Sequence, residues 1–332
     1  MQQFRVAIAG FGGVGRATAS LLLARRNRYW KAYGADVRLV AVCGSRAGLS
    51  DPDGLEEELF DWLEPGRTGP DFILNSGPNV LIEAGPSNFR TGGPGLAYID
   101  AALRGGHDTI VISKGALVHS GPALRELAVT TKAMLRLSGA AAAALPTIDL
   151  LEQSLKGCEV RSIEGILNAT TNFLLDSMTT GGIGFDTALE KAQSAGFTEA
   201  DPRNDTEGWD TACKLLLISN FGLGTDLRME DLKVEGIQSV TADRVADWQS
   251  QGLTPKLVGH IIVDGCTAQA GVEVRTFPPS DPFASVRGKD KAIRITTDAM
   301  GETIAIGSGT EPLATAAAAL KDFEHILMAR TS

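Results

Sequence analysis

The chain has 332 residues, 43% of them hydrophobic, and a formal net charge of −9. With no basic stripe to neutralise phosphates, it is not expected to bind nucleic acid. No apolar run reaches the ~18 residues of a membrane span, so no membrane role is expected, and the length suits roughly two domains.

The opening, "MQQFRVAIAGFGG", has no basic stretch leading into a long apolar run, so no signal peptide is expected. Cys43, Cys158, Cys213 and Cys266 lie far apart without a CxxC spacing. They read as reduced thiols in a cytosol-like compartment, which implies a cytoplasmic protein. His107, His119, His260 and His325 are scattered, with no spacing that would ligate a metal.

Residues 4–9, "FRVAIA", form a short β-prone run, followed by a glycine cluster. "VGRATASLLLARRNRYW" then has helical periodicity, and "VRLVAVC" at 37–43 reads as a second buried strand. This β–turn–α–β unit opens a parallel doubly wound sheet. "FILN" and "NVLIEA", within 72–84, are expected to hold one or two more strands. A helix at 96–104, a strand at 108–113, a helix near 121–131 and a strand near 133–137 complete the first domain.

From about residue 146 the pattern changes. A strand at 160–167 precedes helices at 171–180, 186–195 and 208–221. Strand-like runs follow at 254–263, 268–276, 291–297 and 302–306, and a last helix at 311–329. Several strands in succession, carrying helices, predict an open, partly antiparallel sheet and so an α+β second domain.

Gly10, Gly12 and Gly15 make the G-x-G-x-x-G pattern in "GFGGVG". The pattern alone is weak, but here it follows a strand and opens a helix. Gly10 permits the turn, Gly12 lets backbone approach a pyrophosphate, and Gly15 lets helix and strand pack closely. Gly10, Gly12, Gly13, Val14 and Gly15 are therefore candidate dinucleotide contacts at the positive end of a helix. The second strand runs into "AVCGSRAG", with Ser45 and Arg46 where an NAD-binding acid would stand. A hydroxyl and a guanidinium suit a 2′-phosphate better, so NADP(H) is preferred over NAD(H).

The segment "AGFTEADPRNDTEGWDTACK", 195–214, holds five acidic residues. Thr206 or Asp205 is the expected N-cap of the helix that follows. Asp210 and Lys214 then lie four apart on one face, acid before base. Spacing alone supports only a surface ion pair worth about 0.2–0.5 kcal/mol. The surrounding carboxylates would repel one another unless something positive sat among them: Arg203, Lys214 or a substrate ammonium.

"GFTEADPRNDTEGWDTACK" closely resembles the signature of homoserine dehydrogenases. The resemblance extends over nearly the whole chain, through "GFGGVG", "VISKGAL", "GILNATTNFLL" and "GSGTEPLATAAAAL". The resemblance is to a short form, expected to be without the C-terminal regulatory domain of some members. The resemblance implies a Rossmann-like nucleotide-binding domain, 1–145 plus 307–332, and an α+β catalytic and dimerisation domain, 146–306, in a homodimer. It implies reversible reduction of L-aspartate 4-semialdehyde to L-homoserine, an amino-acid substrate, with NAD(P)H. It further implies Glu199 as the ligand of the substrate ammonium, with Asp205 and Asp210 around the reacting oxygen. Lys214 and Lys114 would flank the reacting carbon, Thr170 and Thr315 would line substrate or nicotinamide, and Ser113 would join Lys114 at the cofactor.

These residue types suit the chemistry, because a positioned ammonium stabilises a developing alkoxide and donates the proton. The chain departs from the family pattern at "SGAAAAALP", 138–146. There Ser138 replaces a glutamate, and Ala142, Ala143 and Ala144 replace glycines, which puts a monovalent-cation site in doubt. Ala169 replaces the glycine of N-G-T-T-N, and Phe197 a tyrosine. These changes leave open an alternative: a related oxidoreductase acting on a different small hydroxy or oxo compound.

Overall fold

In the strand "FRVAIA", Phe4, Val6 and Ile8 face one side of the sheet, and Ala7 and Ala9 face the other. In β1 (Gln2–Ala9), Phe4, Val6 and Ile8 join a core with Ala19, Leu22, Leu320 and Phe323, while Ala7 and Ala9 meet Ile73 and Ala102 on the other face. The computed structural model describes residues 2–143, 145–195, 198, 201–265, 267–309 and 312–331. The chain divides into two compact units, Met1–Ala144 with Gly309–Ser332, and Leu145–Ser308.

The first unit carries a seven-stranded sheet. Its strands are β1, β2 (Ala35–Cys43), β3 (Ala47–Ser50), β4 (Glu64–Pro65), β5 (Val80–Glu83), β6 (Asp108–Val111) and β7 (Leu135–Arg136), in spatial order β4-β3-β2-β1-β5-β6-β7. β2, β1, β5, β6 and β7 are parallel, whereas β3 and β4 turn back antiparallel at the edge. That edge pair was not anticipated, because its strands are short and polar. Helices α1 (Gly13–Ala24), α2 (Arg26–Tyr33), α3 (Pro70–Asn75), α4 (Gly95–Arg104) and α5 (Gly115–Thr131) connect the strands, and α6 (Ser138–Ala142) follows β7.

Two expectations fail here. The single helix predicted through Trp30 breaks at Arg25, and "FILN" is helical rather than a strand. Gly69, at φ +96°, turns the chain, and Pro70 occupies the first helical position, where its fixed φ and missing N–H suit a helix start. The C-terminal helix Leu313–Thr331 returns to the first unit. Its Phe323 meets Phe4 and Tyr29 edge-on, with centroids at 6.2 and 5.4 Å. Its buried Asp322 accepts from Ser138 N at 2.8 Å and from Ser138 Oγ at 2.7 Å. Ser138 is thus committed to the C-terminal helix.

The second unit contains α7 (Thr147–Asp149), α8 (Ala169–Gly181), α9 (Phe185–Ser194), α10 (Arg203–Thr206), α11 (Trp209–Leu217) and α12 (Ala242–Ser250). Its strands are β8 (Val160–Ile166), β9 (Lys233–Val234), β10 (Thr254–Asp264), β11 (Thr267–Phe277), β12 (Lys291–Thr297) and β13 (Glu302–Gly307), in spatial order β13-β12-β8-β10-β11-β9. Apart from the parallel β11–β9 pair, every pairing is antiparallel. α8 and α11 pack on β10. A Cβ at Gly259 of β10 would lie 3.2 Å from Thr211 Cγ2, so the missing side chain lets α11 approach. Among the described residues, no helix is long and apolar enough to cross a membrane.

Candidate active site

In the glycine turn, Gly10 has φ +97°, and a Cβ there would lie 2.3 Å from Ala84 C. A Cβ at Gly15 would lie 2.0 Å from Gly10 O. Both glycines are therefore demanded by the protein's own packing. Gly12 and Gly13 differ, since a Cβ at either would meet no protein atom within 4 Å. Gly12 is the N-cap of α1, with no side-chain capping bond and no acid in the first turn. The free amides and positive helix end face open space, an arrangement that fits a pyrophosphate. Ser45 and Arg46 form the exposed tip of the β2–β3 turn, closed by Gly44 N donating to Ala47 O at 2.9 Å.

At the ends of β5 and β6, Glu83 organises the backbone. It accepts from Ser113 Oγ at 2.5 Å and Gly85 N at 2.7 Å, and its own carbonyl accepts from Ile112 N at 2.7 Å. Burial pushes its carboxyl up, and these donors pull it back. Ser113 is buried with its hydroxyl proton given to Glu83, so it fixes the strand ends rather than presenting a free hydroxyl. Lys114 follows as the half-buried N-cap of α5, its amide bound to Ser87 Oγ at 2.9 Å. Thr315, in the first turn of the C-terminal helix, is buried, and its hydroxyl has no hydrogen-bond partner among the described residues.

The second unit brings together Asn168, Thr170, Asp205, Asp210 and Lys214. Asn168 caps α8 by accepting from Thr171 N at 2.8 Å. Its Nδ2 donates to Asp205 Oδ1 at 2.7 Å and to Asp210 Oδ2 at 2.8 Å. Lys214 Nζ donates to the same Asp210 oxygen at 2.5 Å and to Leu167 O at 2.9 Å. These bonds engage two of the three ammonium protons, and the side chain is 13% exposed. Among the described residues, Asp205 has no such bonded cation. Burial first, then the Asp210 charge, push its carboxyl up, while Asn168, Thr170 and Lys214 pull it back.

Structure also corrects the reading of the acidic segment. Thr206 and Asp205 belong to α10, and the N-cap of α11 is Gly208 at φ +87°. Arg203 does not serve the carboxylate group as a whole. It pairs with Asp201 at the surface, at 2.8 and 2.6 Å. Glu207 accepts from Trp209 Nε1 at 3.0 Å. Glu199, the expected ammonium ligand, and Phe197 lie outside the described residues. Sequence reading missed Asn168 and Glu83. The Asn-x-x-Thr start of α8 is a capping signal that could have singled out Asn168.

A Rossmann-type unit with an open glycine turn, and a second unit bearing a lysine held by carboxylates, define a nicotinamide-dependent oxidoreductase. Residues 146–323 match the family model "Homoserine dehydrogenase" and residues 10–138 match "Homoserine dehydrogenase, NAD binding domain". The chain belongs to the homoserine dehydrogenase family, NAD(P)-dependent oxidoreductases acting on CH–OH groups. It is 32% identical to homoserine dehydrogenase of Methanocaldococcus jannaschii, over 97% of this chain and 98% of that protein. It is 31% identical to an NAD(+)-dependent homoserine dehydrogenase of Pseudomonas canavaninivorans, over 100% of this chain and 98% of the relative. The solved structure of a provisionally assigned homoserine dehydrogenase from Archaeoglobus fulgidus matches with a TM-score of 0.89 at 29% identity, covering 98% of this chain and 99% of that one.

Proposed function

We propose that this protein reversibly reduces L-aspartate 4-semialdehyde to L-homoserine, with NADP(H) preferred over NAD(H), as a cytoplasmic homodimer. The observation that carries the reading is the Lys214 ammonium, fixed by Asp210 and the Leu167 carbonyl with one proton uncommitted to either. When bound, the reduced nicotinamide supplies the hydride. Lys214 stabilises the alkoxide that develops on the substrate oxygen and hands it a proton. Asp210 and Leu167 aim the ammonium, and Asn168 holds Asp210 in place. Asp205, with Thr170 at its side and no bonded cation among the described residues, supplies charge for the substrate ammonium together with Glu199.

Gly10, Gly12, Gly13, Val14 and Gly15 form the pyrophosphate cradle, and Lys114 and Thr315 serve the nicotinamide end. The exposed Ser45–Arg46 tip supports the NADP(H) preference, because the guanidinium matches a 2′-phosphate and no acid stands there to repel it.

The test is an initial-rate assay with L-homoserine, comparing NADP⁺ with NAD⁺, on wild type, Lys214→Ala and Asp210→Ala. Lys214→Ala is expected to lose about 10²–10⁴-fold in kcat with the fold retained. Wild-type rates in both variants would refute the assignment of the site, and a higher kcat/KM with NAD⁺ would refute the cofactor preference.

A further inference from the structure

The stretch between β3 and β4 is anchored along a defined path. Leu55 N donates to Leu39 O at 2.7 Å, beside the middle of β2. The chain then runs along α1 against its direction. Glu56 pairs with Arg26 at 2.6 Å, Glu57 accepts from Ser20 Oγ at 2.6 Å, and Phe60 O accepts from Arg16 at 3.0 Å. Asp61 also binds Arg16, at 3.2 Å, and the Phe60 ring meets Phe11 of the glycine turn edge-on at 5.1 Å. Just beyond, Glu64 and Pro65 pair with Gly48 and Ala47, and Gly66 N donates to Arg46 O at 2.9 Å.

In the chain, Trp62 follows Phe60 and Asp61, which contact Phe11 and Arg16, and precedes Glu64–Gly66, which pair with the Ser45–Arg46 turn. Trp62 is 73% exposed and makes no ring contact among the described residues. The fold therefore gains nothing visible from an indole here, although tryptophan is usually well buried. In a doubly wound sheet, a dinucleotide whose pyrophosphate sits on the first helix extends its adenosine towards the end of the second strand. That path runs from the glycine turn to the Ser45–Arg46 turn, the two turns that the residues on either side of Trp62 contact.

We propose that the Trp62 indole is the stacking platform for the adenine of the bound dinucleotide. Every base has a flat π-face, so an exposed indole beside the adenosine path binds it without further polar contacts. This inference rests on the dinucleotide reading of the glycine turn.

The test measures equilibrium binding of NADPH, NADH, adenosine 5′-monophosphate and adenosine 2′,5′-bisphosphate to wild type, Trp62→Ala and Trp62→Phe. Trp62→Ala is expected to weaken both adenosine mononucleotides and NADPH by about tenfold, and Trp62→Phe to stay within about threefold of wild type. The side chain is exposed, so the unfolding midpoint should not move. Wild-type affinities in Trp62→Ala would overturn the proposal. So would a loss confined to the 2′-phosphorylated compound, which would make Trp62 a phosphate contact. If wild type binds neither NADPH nor NADH, the dinucleotide reading fails and this proposal with it. If wild type binds and Trp62→Ala matches it, only the adenine platform fails.

Discussion

Asp205 and Asp210 share one amide: Asn168 Nδ2 donates to both, at 2.7 and 2.8 Å. Two carboxylates so close repel, and the bridging amide offsets that repulsion without adding charge. Asn168→Ala should therefore free Asp210 and, through it, Lys214. Its kcat/KM for homoserine should fall by about 10²-fold or more. Losing the α8 cap should cost about 1 kcal/mol of stability besides. Steady-state kinetics and urea unfolding read the two effects separately.

Asp205 gives a second expectation, with opposite signs for stability and activity. Its carboxyl is raised by burial and by Asp210. A raised acid contributes stability that is complete below its unfolded value and lost as pH rises through its folded value. At neutral pH the ionised Asp205 is thus a burden on the fold. Asp205→Asn mimics the protonated form, so it should unfold at a higher temperature at pH 7 and lose that advantage near pH 3. The KM for homoserine should rise in the same variant, because the charge proposed to meet the substrate ammonium is gone. Calorimetry at the two pH values and a substrate titration check this.

The glycine turn separates packing from ligand approach. Gly15→Ala places a Cβ 2.0 Å from Gly10 O, so the turn must open and the fold should weaken by several kcal/mol. Gly12→Ala meets no protein atom within 4 Å, so its unfolding midpoint should match wild type. Its affinity for NADPH should nevertheless drop by about tenfold or more if the glycine turn holds the pyrophosphate as proposed, because the methyl group would then stand in its way. Equal NADPH affinity in Gly12→Ala and wild type would contradict this use of the turn.

Lys256 is fully buried on β10 and bonds Asn172 Oδ1 at 2.8 Å and the Val286 carbonyl. Burial pushes its pKa down to about 8. The unfolded chain keeps that proton up to its ordinary value of 10.5. Between those limits the unfolded state binds more protons, so the lysine's contribution makes stability rise with pH. The stability difference between wild type and Lys256→Met should widen in favour of wild type between pH 7.5 and pH 9.5. Denaturant unfolding at both values measures it, and a constant difference would show that Lys256 does not titrate there.

Ala143 adopts φ +55°, ψ −112°, a conformation open to glycine and strained for any residue with a Cβ. Ala143→Gly should relieve about 1–3 kcal/mol of strain and give back at most about 1 kcal/mol in unfolded-chain entropy, leaving a more stable protein. Thermal unfolding decides it, and a lower midpoint would contradict the strain.

Local pattern carried much of this protein. The alternation of β1, the glycine turn before α1 and the four-residue spacing of Asp210 and Lys214 were legible because a strand or helix period acts between near neighbours. The long acidic motif made the family legible too. The N-cap of α11 was misplaced because Gly208, rather than a side-chain oxygen, ends the short turn of α10. "FILN" was misread because its apolar run fits either period, and the deciding Gly69–Pro70 pair lies outside it.

What tertiary structure alone decided are the contacts that join distant residues. Asn168 reaches Asp205 and Asp210 across 37 and 42 residues, and Ser113 reaches Glu83 across 30. The tip of the β3–β4 stretch meets the glycine turn through Phe60 and Phe11. Sequence named the charged groups of the acidic segment. Only folding set which carboxylates share an amide, which one is raised and which acceptors the Lys214 ammonium meets, because hydrogen bonds and burial depend on neighbours that chain order does not specify.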